Sequence, residues 1–211
     1  MTEKKPGRRG RPVNEALRQT IADTACDLFL ELGFQATTMD KVAQRARISK
    51  LSIYRHFENK EALFSAAIAA RCQQFAPQSL FEGGEGTAEE QLLAVGSSLL
   101  GLLLSQEVRS VEAMVMADKT NQTDLARLYY NAGPARFMSQ IEALLRRLDA
   151  RAVLNVPDPH QSARLFAALF KGSDLLITAP FNPVGASDAD TRAYCRSAVA
   201  MFIQAHRPTR A

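Results

Sequence analysis

The sequence predicts an all-α chain, and three observations carry that reading. Aliphatic residues and alanine dominate, tryptophan is absent, and the β-branched and aromatic enrichment that strands need is missing. Apolar residues recur at helical spacing in one segment after another. Cap residues precede these segments, and glycine or proline often follows or interrupts them.

The first residues have no apolar face. "TEKKPGRRGRP" holds proline, glycine and five basic residues, so residues 1–12 read as a disordered basic arm. A helix follows from about Asn14 to Leu32, striped by Leu17, Ile21, Ala25, Leu28, Phe29 and Leu32, with Gly33 at the C-cap. Thr37 opens the next helix, with Asp40 three residues on as a capping-box variant and Met39, Val42 and Ala43 on its buried side. Ser49 caps a helix of barely two turns to about His56. Asn59 caps a longer one carrying Ala62, Leu63, Ala66 and Ala67. After the glycine-rich "FEGGEGTAEE", helices are expected at about 88–104, 107–118, 123–149, 160–178 and 188–206. Pro134 should kink or split the third of these. Asp158 with Pro159 and Gln161, and Ser187 with Asp190, give good starts to the last two. Residues 13–60 thus form a small N-terminal unit and 61–211 a larger helical one.

Charge is divided unevenly between them. Residues 1–62 hold 12 Lys+Arg and 8 Asp+Glu, the rest of the chain 14 of each, so the whole net charge of +4 lies in the first part. That asymmetry points to a polyanion partner for the N-terminal unit. The longest apolar run, "LLAVGSSLLGLLL" (92–104), is too short for a membrane span and contains two glycines. Three widely separated cysteines suggest neither a disulfide framework nor a metal site. A cytoplasmic protein without metal or cofactor is expected. The histidines are isolated, and no Ser/His/Asp or paired-carboxylate constellation falls at an interpretable spacing, so an enzyme is not expected.

The stretch "KVAQRARISKLSIYRHFENKEALF" (41–64) is the informative one. A short helix, a tight turn and a second short helix opening on a hydroxyl residue make a helix-turn-helix. In that arrangement the second helix enters the major groove of DNA and the first crosses the backbone. Ala43 is small where the two helices pack, and Ile48 and Ile53 hold the second to the core. Lys50, Leu51, Ser52, Arg55 and His56 are left facing outward. Tyr54 and Lys60 suit phosphate oxygens. Thr37, Thr38 and the turn residue Arg47 complete the candidate contacts. Within the arm, "RRGRP" (8–12) carries Arg9 and Arg11 about a glycine. It reads equally as an AT-hook-like minor-groove element or as a basic tail that raises affinity nonspecifically.

"TTMDKVAQRARISKLSIYRHFENKEALF", with the preceding "LFLELGFQATTM", resembles the DNA-binding signature of the TetR/AcrR family of bacterial regulators. The resemblance is strong over about residues 14–64. "YYNAGPARFMSQIEALLRR" (129–147) is similar to the C-terminal domain of an AefR-like subgroup. The resemblance implies an all-α homodimer, a three-helix DNA-binding domain, and a larger domain that binds an inducer and dimerises. It also implies repression that a small hydrophobic inducer relieves. Two positions depart from the family pattern: Arg47 stands where glycine is usual, and Leu51 where a small residue is common.

In the larger unit, Met114, Met116, Phe137, Phe166 and Phe170 are candidate pocket residues, with Glu112, Asp118 or Gln140 to orient a ligand. Simple core packing is the competing reading of each. Leu165, Phe166, Leu169 and Phe170, with Tyr194, Val199, Phe202 and Ile203, offer more apolar side chain than one internal face needs. A dimer through the last two helices is therefore expected, reading a palindromic operator in double-stranded DNA. A constitutive or architectural DNA-binding dimer without inducer is the alternative.

Overall fold

The computed structural model describes residues 14–82, 86–118, 122–178 and 187–208, and every regular element among them is helical. The order is α1 (Glu15–Ala36), α2 (Met39–Arg45), α3 (Lys50–His56), α4 (Lys60–Phe75), α5 (Ala88–Leu104), α6 (Gln106–Ala117), α7 (Gln122–Ala132), α8 (Pro134–Ala150), α9 (Pro159–Lys171), α10 (Asp174–Thr178) and α11 (Asp188–Ala205), with a 3-10 turn at Gln78–Leu80. The arm, with Arg9 and Arg11, lies outside the described residues.

The caps explain most boundaries. Asn14, Ser49 and Asn59 accept hydrogen bonds from the amides of Leu17, Ser52 and Ala62 at 3.3, 3.1 and 2.7 Å. Thr87 and Glu90 close a reciprocal capping box at the start of α5. Gly33 interrupts α1 with φ 79° and ψ 165°, a backbone that a side chain resists.

Two expectations are corrected and one is met. Thr38, not Thr37, caps α2, accepting from the Lys41 amide at 3.2 Å. Thr37 is wholly buried, and its hydroxyl donates to the carbonyls of Leu28 at 3.0 Å and Gly33 at 2.8 Å, pinning the chain after the Gly33 break. The segment 123–149 is two helices parted at Gly133, as Pro134 foretold. The segment 160–178 also divides: α9 stops at Gly172, Ser173 turns inward, and α10 restarts at Asp174.

Two cores result. The first gathers α1 to α4 around Phe29, Phe34 and Phe64, whose ring centroids lie 5.2–5.6 Å apart, with Phe29 stacked on Phe34 and Phe64 edge-on to both, and continues into Val111 and Val115 of α6 and Leu125 of α7. The second packs α5, α8, α9 and α11 around Phe166, Phe170 and Phe202. α5 and α6 meet at Ser105 with a bend of 58°, which carries the chain from the second core back to the first. Among the described residues no single helix is long and apolar enough to cross a membrane.

At Gly96 a Cβ would stand 2.3 Å from Cζ of Phe170, which is itself fully buried. Gly96→Ala is therefore expected to destabilise the fold by about 1–3 kcal/mol through overpacking, read as a lower urea midpoint with unchanged slope.

Candidate nucleic-acid interface and ligand cavity

The turn between α2 and α3 is a Schellman closure. The Ile48 amide donates to the Ala43 carbonyl at 3.0 Å and the Arg47 amide to that of Gln44 at 3.1 Å, with Arg47 left-handed at φ 55°. The turn thus keeps the conformation that glycine would favour, although an arginine occupies it. A second non-glycine closure of the same kind ends α8 at Ala152, φ 52°.

This turn orients α3. Ile53 and Phe57 are buried beneath it, while Leu51 is 64% and Tyr54 46% exposed. Lys50, Arg55 and Arg47 share the exposed side, Thr38 stands exposed at the start of α2, and Ser52 is half-buried. His56 is half-buried too; its carbonyl accepts from Arg18 at 2.6 Å, and its Nδ1 is buried without a partner among the described residues. The exposed face is thus formed by Thr38, Arg47, Lys50, Leu51, Tyr54 and Arg55. Thr37 does not belong to it, because its hydroxyl is buried in the core.

Several of the basic groups here are held by the protein itself. Lys50 Nζ lies 3.0 Å from the Asp40 carboxylate, a bond that raises the lysine pKa. Arg45 forms a forked pair with Glu31 at 2.7 and 3.1 Å. Lys41 donates to the Ala36 carbonyl at 2.7 Å. Lys60 is drawn away from solvent: its ammonium donates to the Phe34 carbonyl at 2.8 Å, lies 4.3 Å above the Phe34 ring, and has its pKa lowered by burial. Arg47 and Arg55 hold no ion pair among the described residues. The sequence reading omitted Lys41 and Arg45, whose place on the solvent side of α2 follows from the helical phase of buried Met39, Val42 and Ala43.

Between the two cores lies a cavity of about 150 Å³. Its walls come from α1 (Cys26), α4 (Ile68, Arg71, Cys72), α5 (Leu99, Leu102, Leu103), α6 (Glu107, Val108, Val111, Glu112) and α7 (Tyr129, Tyr130). The α7–α8 corner closes it with Gly133, Pro134, Phe137 and Met138, and α9 adds Ala167 and Lys171. Arg71 ties three helices together at this wall, pairing with Asp27 of α1 at 3.5 Å and Glu107 of α6 at 3.6 Å. Burial raises the Cys26 thiol and pushes Cys72 to about 11, so both stay protonated at neutral pH.

Of the residues expected at a pocket, Glu112 and Phe137 line this cavity. Gln140 faces a smaller neighbouring one. Met116, 74% exposed, borders an outer cleft, and Met114 packs on the first core. Asp118 accepts from Gln35 at 3.0 Å at the end of α1. Phe166 and Phe170 are fully buried in the second core, which corrects their reading as pocket or dimer residues. Val199 and Phe202 are likewise buried within the protomer. The outward apolar groups of the last helices are Leu165 (52% exposed) and Met201 (57%), flanked by half-buried Leu169, Tyr194 and Ile203. The cavity residues that sequence reasoning missed recur at helical spacing: 68, 71 and 72 on α4, and 99, 102 and 103 on α5.

The left-handed Arg47 yields a direct expectation. Arg47→Gly should raise the unfolding free energy by about 1 kcal/mol, since a Cβ in that region is penalised by roughly this amount. Urea unfolding of the two proteins measures it.

Comparison with known proteins agrees with this geometry. Residues 21–67 match the family described as bacterial regulatory proteins, tetR family, and residues 90–208 match the AefR-like transcriptional repressor C-terminal domain. The HTH-type transcriptional regulator YdeS of Bacillus subtilis is 30% identical over 147 residues, 70% of this chain and 67% of that protein. The biofilm operon negative transcriptional regulator IcaR of Staphylococcus epidermidis is 35% identical over 52 residues, 25% of this chain and 28% of its own length. Among solved structures, the flavonoid-responsive regulator FrrA superposes with a TM-score of 0.71 at 26% identity, covering 93% of this chain and 100% of that one. With signatures matched across its helix-turn-helix and its C-terminal helices, and a relative of this identity along most of its length, the chain belongs to the TetR family of helix-turn-helix transcriptional regulators.

Proposed function

We propose that the protein is a ligand-responsive repressor that binds a palindromic operator as a homodimer and is released by a small hydrophobic inducer. The observation that carries this reading is the position of the cavity. It is walled by α1 of the DNA-binding unit together with α4 to α9 of the regulatory one, so an occupant touches both units at once. Repression accords with IcaR, a negative regulator, and response to a ligand with the name of FrrA.

In this reading residues 13–60 bind DNA, and residues 61–211 sense and dimerise. Lys50, Leu51 and Ser52 read base edges. Thr38, Arg47, Tyr54, Arg55 and His56 hold phosphates, joined by Lys60 once it leaves the Phe34 carbonyl, while Arg9 and Arg11 follow the minor groove. One two-turn helix meets few bases, so two-fold pairing through the outward faces of α9 and α11 supplies the second half-site, about 34 Å away. The protein acts in the bacterial cytoplasm, on the nucleoid.

The inducer acts by preferring one arrangement of α4. Its entry beside Arg71 disturbs the pairs with Asp27 and Glu107, and α4 shifts relative to α1. The two α3 helices then lose the spacing of successive major grooves. By linkage, operator DNA weakens inducer binding by the same factor as inducer weakens DNA binding.

Selection of bound duplexes from a random pool at about 150 mM salt, where phosphate-only binding is suppressed, is expected to return an inverted repeat. Recovery of A·T-rich DNA without symmetry would overturn the palindrome and the dimer together. On the selected operator, Tyr54→Phe should weaken binding of all sequences about fivefold, the worth of one hydrogen bond near 1 kcal/mol. Lys50→Ala should instead relax preference at defined positions, by about 1–3 kcal/mol per base pair, in competition assays. Calorimetry on free and operator-bound protein should give unequal inducer affinities; equal ones would leave a constitutive DNA-binding dimer.

A further inference from the structure

The lining of the cavity constrains what can occupy it, and this inference rests on the cavity being the regulatory site. We propose that the ligand is a small neutral aromatic molecule carrying a hydroxyl group that donates its hydrogen to Glu112.

Glu112 projects from α6 into a wall of mostly apolar residues. One carboxylate oxygen, Oε1, accepts from the Tyr129 hydroxyl at 3.1 Å. No cation pairs with this carboxylate among the described residues, and Oε2 accepts no hydrogen bond among them. An ionised carboxylate offers about four acceptor positions, so the cavity presents spare acceptor capacity in apolar surroundings. Tyr129 cannot compete for the role of anion: burial and then the Glu112 charge raise its pKa, and it remains a donor. The Glu112 site is therefore completed by a donor from the occupant.

Charge balance favours a neutral donor over a cationic one. The cavity lining holds Arg71 and Lys171 against Glu107 and Glu112, a net charge of zero. Arg71 is already engaged by Asp27, Glu107 and the Cys26 thiol, and its Nε is buried away from the cavity space. A cationic ligand would meet the charges of Arg71 and Lys171, and an anionic one those of Glu107 and Glu112. A neutral hydroxyl donor meets the open acceptor position of Glu112 at no cost in charge.

Size and shape select a single ring. An apolar cavity of about 150 Å³ admits one benzene ring, and this one has that volume. Gly133 sets its limit at the α7–α8 corner. A Cβ there would lie 3.1 Å from Cys72 Sγ and 3.3 Å from Ile68 Cγ2, so the corner closes against α4 as tightly as a glycine allows. Tyr129, Tyr130 and Phe137 supply aromatic neighbours.

The test compares four single-ring probes on the full-length protein by calorimetry: 4-hydroxyacetophenone, 4-methoxyacetophenone, benzyltrimethylammonium and benzoate. The hydroxy compound is expected to bind about tenfold or more tightly than its methoxy analogue, and the charged probes more weakly still. Glu112→Gln should reduce that preference by about tenfold. Equal binding of the hydroxy and methoxy compounds, tighter binding of either charged probe, or binding of none overturns the proposal. Operator release separates the two levels. Release by a probe other than the hydroxy compound defeats the ligand class and keeps the regulatory reading. Tight hydroxy binding without release keeps the class and defeats the regulatory reading.

Discussion

The packing of α4 sets the terms for everything else in this protein. Its first two turns bury Leu63, Phe64 and Ala67 against α1, where Phe64 meets Phe29 and Phe34 edge-on. Its later turns present Ile68, Arg71 and Cys72 to the cavity. Fully buried phenylalanines each contribute about 1.5–3 kcal/mol, so the first half of α4 is firmly attached to the DNA-binding unit. The second half adds the longer ion pairs of Arg71 to α1 and α6 and faces the cavity. A rigid helix with one end fixed and the other adjustable transmits displacement because close-packed cores resist gradual deformation. α6 and α7 reinforce this by burying Val111, Val115 and Leu125 in the same core as α1 to α4.

Local chemistry was legible in the sequence, and long-range register was not. Ser49 and Asn59 mark helix starts because a short side chain acts on an amide three residues away. The two-helix motif follows from the same short-range logic. Thr37 was misread because its partners, the carbonyls of Leu28 and Gly33, come within reach only after the chain reverses at Gly33. The hold on Lys60 within the fold was hidden for a related reason: the Phe34 ring and carbonyl that engage it are brought near by packing of α4 on α1. Phe166 and Phe170 sit on the apolar stripe of α9, and nothing local tells whether such a stripe faces a cavity, a partner subunit or the chain's own core. Here Gly96 answers, since its lack of a side chain lets α5 approach Phe170 closely.

The cavity was the least legible feature. Its wall draws residues from α1 and from α4 to α9, and each contributing helix looks in sequence like an ordinary amphipathic segment. Glu112 was singled out as an orienting group, but Tyr129, which engages it, was not. The pair lies 17 residues apart on two different helices and becomes visible once α6 and α7 are packed. Arg71 gave no signal either, being one basic residue on a helix face among several.

The ion pairs around the helix-turn-helix have a consequence for how DNA binding responds to salt. Lys50 is neutralised by Asp40 and Arg45 by Glu31 before any DNA arrives. Wherever DNA draws either cation away, the displaced carboxylate gathers mobile cations of its own. Part of what the DNA releases into solution is thereby taken back by the protein. The slope of affinity against ionic strength will then be shallower than the number of basic residues on this surface implies. The DNA-free surface is also less positive than its composition suggests, so encounters with arbitrary sequence are weakened more than those in which α3 is fully seated.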